Sequence, residues 1–168
     1  MTSLTGVLAQ FFTPTHLLAL VALGLLAGQH SKQVPVVTLA AFAVGLTIGS
    51  IIIATAVRET PAALALLAIA AFAGIMVVIA LPTKPRIASL LAFATGAALA
   101  LNSPPQALTI PSAVAAQLGT GVAAVATVAL VIGIAMHAHR PWQRVGVRIV
   151  AAWIAASAIL VLALRLAR

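Results

Sequence analysis

Carboxylate side chains are almost missing from this chain. Glu59 is the one acidic residue in 168, against nine lysines and arginines, and cysteine and tyrosine are absent. Each absence removes a class of function. Without cysteine there is no disulfide framework and no thiolate chemistry. With a single acid there is no Ser–His–acid set, and the usual routes to a cation-binding site are few. Proton-coupled pumping draws on intramembrane carboxylates, and Glu59 lies between apolar runs rather than within one. The glycines form no phosphate-binding GxxxxGK. The chain is read as a non-enzyme.

The same scarcity sets the class. Only 6% of residues are charged and 64% are hydrophobic, where a soluble domain carries about a quarter charged residues. The formal charge of +8 does not point to nucleic acid. The basic residues sit singly between apolar runs, whereas nucleic-acid binders cluster them on one face. They read instead as topology signals at the edges of a membrane. The length suits one domain. Residues 1–12 carry no charged side chain, unlike the basic start of a secretory signal, so the first apolar run is read as a retained span.

A helix needs about 20 apolar residues to cross the hydrocarbon core. Six segments come close, near 13–28, 34–57, 61–81, 87–101, 113–137 and 147–166, separated by proline and polar clusters. They are rich in Ala and Leu and lack the period-two alternation of barrel strands. The expected fold is an all-α, polytopic bundle of about six transmembrane helices in a single domain. The fourth segment is short and reads either as a helix with little tilt or as one broken inside the bundle. The loops after spans one, three and five carry Lys32, then Lys84 and Arg86, then Arg140, Arg144 and Arg148. The positive-inside bias places these loops in the cytoplasm and both termini outside. Arg165 and Arg168 dissent from that orientation.

Leucine burial does not drive helix association in lipid, but small residues that let backbones approach do. Gly45 and Gly49 form a GxxxG in span two, and Gly74 and Gly96 lie among alanines in spans three and four. These four are assigned to helix packing. Two alternatives stand beside that assignment: a glycine stripe lining a substrate path, and a dimer contact through the GxxxG.

Span one carries a more specific string. Thr13-Pro14-Thr15-His16-Leu17-Leu18-Ala19-Leu20-Val21-Ala22-Leu23-Gly24 resembles the opening of the hydrogenase/urease accessory family (HupE/UreJ), six-span bacterial membrane proteins associated with nickel movement. The family pattern is His-Pro-x-x-Gly-x-Asp-His-Leu-Leu-Ala-Met, followed by an apolar run to Gly. His16, Leu17, Leu18, Ala19 and Gly24 match it, while Ala9, Thr13 and Thr15 stand where the family has His, Gly and Asp. The family's His-Gly-x-Ala-His-Gly-x-Glu segment falls on residues 95–102. Gly96 and Ala98 are kept, and Asn102 stands at the Glu position. In span five Gly133 is kept, and Leu130 replaces a His.

The resemblance implies a six-helix fold in the bacterial cytoplasmic (inner) membrane, with nickel or another divalent ion as cargo rather than as a resident cofactor. His16 is then a metal ligand. Its other reading is a structural polar group near the outer end of span one, within reach of water. Glu59 is either a second ligand beside His16 or a solvated charge that favours the start of span three through the helix dipole. His137 and His139 close span five. Two residues apart on a regular helix they point about 200° apart and do not chelate. They could do so where the helix unwinds at Pro141, with His30 on the same side, and they equally suit a wet interface beside Trp142. Residues His16 and His137 fall at opposite faces, too far apart to share a haem iron. The first functional reading is a metal permease. The alternative is a non-transporting structural or assembly subunit of a larger membrane complex, with a packed centre and an apolar outer face that meets another protein or a second copy.

Overall fold

The computed structural model describes residues 14–29, 33–55, 62–80, 84–103 and 110–167. They form six helices: α1 (Pro14–Gly28), α2 (Gln33–Thr55), α3 (Ala62–Ile79), α4 (Pro85–Leu101), α5 (Ile110–Met136) and α6 (Pro141–Leu166). The fold is an all-α bundle, and no strand occurs among the described residues. Helices α2, α3, α5 and α6 are long and apolar enough to cross a bilayer. Helices α1 and α4 are apolar but shorter, at 15 and 17 residues. The protein is a membrane protein whose apolar exterior, including Ile51, Phe72, Leu118, Val122 and Trp153, is surface for lipid.

Prolines account for where helices begin. Pro14, Pro35, Pro85, Pro111 and Pro141 each fall in the first three residues of a helix. There the missing N–H has no intrahelical partner to lose, and the fixed φ suits the helix. Pro141 corrects the sequence reading most. The last span was expected to begin near residue 147, yet α6 starts six residues earlier, with Pro141 at its head. The Arg140 backbone N–H donates to Gln143 Oε1 at 3.0 Å and secures that start. Arg144 and Arg148 are therefore helical residues rather than loop residues. Helix α4 runs unbroken from Pro85 to Leu101 and closes at Asn102 in an αR conformation, so of the two readings of this segment the broken helix does not hold.

Helix α1 is the axis of the bundle. It meets all five other helices, and ten of its fifteen residues are buried, including the continuous stretch from Ala22 to Gly28. A helix apolar on every face is one surrounded by others. Around it, helices approach to backbone contact at glycines. Gly45 and Gly49 of α2 face α4, which runs parallel to it. A Cβ on Gly45 would overlap the Phe93 carbonyl oxygen, and one on Gly49 would lie 2.7 Å from that of Ala97. Gly96 answers from α4, where a Cβ would strike the Phe42 carbonyl. The GxxxG is thus occupied within one chain, and that face is not free to form a dimer. Gly24 and Gly28 seat α1 against α5, and Gly74 seats α3 against Ala151 and Ala155 of α6.

Candidate functional site

His16 occupies the first turn of α1, and its ring is 1% exposed. The sequence placed it within reach of water, and the structure corrects that. The cause is the offset of the short α1 against the long α5. Gly24 packs on Val128 and Val131, and Gly28 on Ile132 and Ala135. The two helices therefore run parallel and end nearly flush, so the whole shortfall of α1 falls at its His16 end. Carrying that register back eight residues sets His16 level with Thr120–Ala123 of α5, about ten residues or 15 Å inside the α5 start at Ile110.

A second short helix brings His16 its partner. Asn102 ends α4, and its Nδ2 lies 2.8 Å from His16 Nε2, joining residues 86 apart in sequence. Two proton assignments satisfy this contact. With the amide nitrogen donating, Nε2 accepts and Nδ1 carries the ring proton. With the amide turned over, Nε2–H donates to Oδ1 and Nδ1 presents a lone pair. In either case His16 Nδ1 is buried without a partner. The neighbouring Ser103, 4% exposed, also has its hydroxyl buried and unpartnered. Leaving such a group unmatched costs about 1–3 kcal/mol. Nearby in the same half of the bundle, Gln117 Nε2 of α5 donates to Ser50 Oγ of α2 at 3.0 Å. This end thus holds two uncharged polar pairs, His16–Asn102 and Gln117–Ser50, drawn from four helices and their ends.

Sequence reasoning singled out His16 and aligned Asn102 to a ligand position. It missed Ser103, Ser50 and Gln117, whose only signal is that they are polar residues near or inside apolar runs. The remaining candidates do not join His16. Glu59, His30 and Thr13 lie outside the described residues. Thr15 is half-buried. His137 and His139 follow the end of α5 at the opposite end of the bundle, and both are exposed. His137 Nδ1 lies 2.7 Å from the Gly133 carbonyl, so this nitrogen carries the proton it donates. The two rings stand with centroids 6.4 Å apart and tilted by 58°. Leu130 is an exposed side chain.

These groups offer little to a metal ion. Among the described residues no three His, Cys, Asp or Glu side chains come together as a ligand set. One imidazole nitrogen with an amide and a hydroxyl is a poor set for nickel, which favours several imidazole or carboxylate donors. No protein-family model, curated protein or solved structure matches the chain.

Proposed function

We propose that this protein is a non-transporting membrane subunit, a helical scaffold that works by packing rather than by moving a solute. The observation that carries the reading is the composition of its centre. The axis is built from Leu20, Leu23 and Leu26 of α1, closed by Leu66, Leu67, Leu99 and Val128 from its neighbours, all less than 2% exposed. The buried polar side chains among the described residues are only His16, Thr38, Thr95 and Ser103. Thr95 spends its hydroxyl on the Leu91 carbonyl within its own helix. A carrier for a hydrated divalent ion must replace the lost water ligands along its path, and these residues supply few replacements.

The second reading is a HupE/UreJ-like metal permease with nickel as cargo. One observation favours it. His16 and Asn102, aligned from two separate family motifs, meet at 2.8 Å, and the unpartnered His16 Nδ1 is the nitrogen a metal would use. The amide at Asn102, where the family has a carboxylate, leaves that site without its charge.

In either reading the protein lies in a bacterial cytoplasmic membrane with its basic end inside. Lys84, Arg86, Arg140, Arg144 and Arg148 gather at one end of the bundle, and Arg165 alone among the described basic residues belongs to the other. Nickel accumulation in cells with the protein at matched membrane abundance separates the two readings. The scaffold reading expects wild type to accumulate no more nickel than cells without the protein. Accumulation that His16→Ala abolishes would replace the scaffold reading with the permease.

A further inference from the structure

The end of the bundle opposite His16 holds a built, cationic cavity that neither functional reading uses. It measures about 440 Å³ and lies between the ends of α1, α3 and α5 and the first turns of α6. Gln29, His139, Arg144 and Arg148 line it over Met136 and Val147. An adjoining cavity of about 300 Å³ shares His139, Arg144 and Arg148. We propose that this cavity binds the phosphate of an anionic phospholipid headgroup.

Three features select that ligand. The first is charge. Arg144 and Arg148 stand one turn apart on α6 and present their guanidinium groups on the same side. No acidic side chain occurs among the described residues, so the counter-charge has to come from outside them. A guanidinium recognises phosphate oxygens through paired N–H donors, with Gln29 and His139 beside it as further donors.

The second feature is depth. Helix α6 has 26 residues, about 39 Å, and exceeds a hydrocarbon core of about 30 Å. Arg140, Arg144 and Trp142 at its start mark that end as the one that reaches the headgroup layer, where an exposed tryptophan is an interfacial aromatic.

The third feature distinguishes a lipid from free phosphate. The cavity shares Ala138 and Val147 with an apolar groove of about 770 Å³ between α5 and α6. Leu130 and Ile134 wall this groove, and Gly133 and Gly146 leave it open because nothing lies within 4 Å of where their Cβ atoms would be. Headgroup cavity and groove together match a phosphate joined to an acyl chain.

The inference depends on neither functional reading and is tested by lipid titration of the purified full-length protein in neutral detergent, read by native mass spectrometry. Phosphatidylglycerol is expected to bind more tightly than phosphatidylcholine. The double variant R144Q/R148Q should weaken phosphatidylglycerol roughly 20- to 30-fold at low salt, since each basic residue near a membrane surface contributes about a fivefold factor. Phosphatidylcholine, whose phosphate is already balanced by its own choline cation, should weaken by only a few-fold, R144K/R148K should keep most of the preference, and Arg165→Gln should keep all of it. Unchanged helicity and melting of R144Q/R148Q would establish that the loss is local. Equal binding of the two lipids by wild type, or undiminished phosphatidylglycerol binding by R144Q/R148Q, overturns the proposal. Inorganic phosphate that displaces the lipid at equal concentration overturns the assignment to a lipid.

Discussion

The glycines at the α2–α4 crossing and those on the outer side of α5 and α6 are the same residue put to opposite uses. At the crossing, Gly45, Gly49 and Gly96 are buried, and a methyl group on any of them would meet the neighbouring backbone. On α5 and α6, nothing lies within 4 Å of where a Cβ would stand on Gly119, Gly121, Gly133 or Gly146. At the crossing, the absence of a side chain lets two parallel helices touch, and the dispersion contacts along them replace a hydrophobic drive that lipid cannot supply. On the outer side the same absence gains no contact among the described residues and still carries the low helix propensity of glycine. What a glycine does in a membrane helix is decided by its register against a neighbour.

The contrast is broken most severely by adding a single methyl at the crossing. Gly45→Ala and Gly96→Ala each place a carbon onto a carbonyl oxygen of the opposing helix, Phe93 or Phe42, with no flexible side chain to yield. Each is expected to cost about 3 kcal/mol or more, at or above the top of the usual range for overpacking. Unfolding of the detergent-solubilised protein, followed by the fluorescence of Trp142 and Trp153, measures it. Losses below about 1 kcal/mol would mean that the helices separate at little cost and that close approach does not hold the bundle.

The two ends of the bundle repeat the contrast with polar groups. The His16–Asn102 bond is part-buried between two helices, while the His137–Gly133 bond is exposed within one chain segment. His16→Leu leaves the Asn102 amide unmatched, and is expected to destabilise by about 1–3 kcal/mol. His137→Ala should change stability by less than about 0.5 kcal/mol, as surface substitutions usually do. A double-mutant cycle of His16→Leu with Asn102→Leu should return a coupling of about 0.5–1.5 kcal/mol. A coupling of zero would mean that the pair does not hold in solution.

Gly74 lies between the extremes. A Cβ there would stand 3.0 Å from the Ala151 carbonyl oxygen and 3.0 Å from Ala155 Cβ. A shift of a few tenths of an ångström relieves that, so Gly74→Ala should cost about 1 kcal/mol in the same unfolding measurement. A cost equal to that of Gly45→Ala would show that α3 and α6 are as rigidly placed as α2 and α4.

Much of the helix layout was legible in the sequence because its signals are local. Apolar runs and the prolines between them placed the α2–α5 boundaries within a few residues. The miss at α6 came from reading Pro141 and its flanking arginines as a loop, although proline begins helices as readily as it ends them. The close spacing of Gly45 and Gly49 pointed to packing, since GxxxG is a property of one helix face. The burial of His16 was not legible, because it follows from how far α1 is offset along α5, which only the packed bundle defines. The Ser50–Gln117 bond is likewise a tertiary pairing with no local trace. The cationic cavity escaped because Arg144 and Arg148 become one face only once residues 141–148 are helical.

Gly119→Ala carries the smallest expected effect and sharpens the contrast most. Its Cβ would enter open space, so packing contributes nothing for or against it. Alanine removes unfolded-state freedom and favours the helix by up to about 1 kcal/mol in water. In a micelle, where the unfolded reference retains helix, the gain should shrink toward zero. The expected outcome is therefore a change between zero and a small stabilisation in the purified protein, opposite in sign to Gly45→Ala. A destabilisation above about 1 kcal/mol would require atoms against this face that the described residues do not provide. If a second copy in the micelle supplies them, light scattering would report a larger mass for the wild type than for the variant.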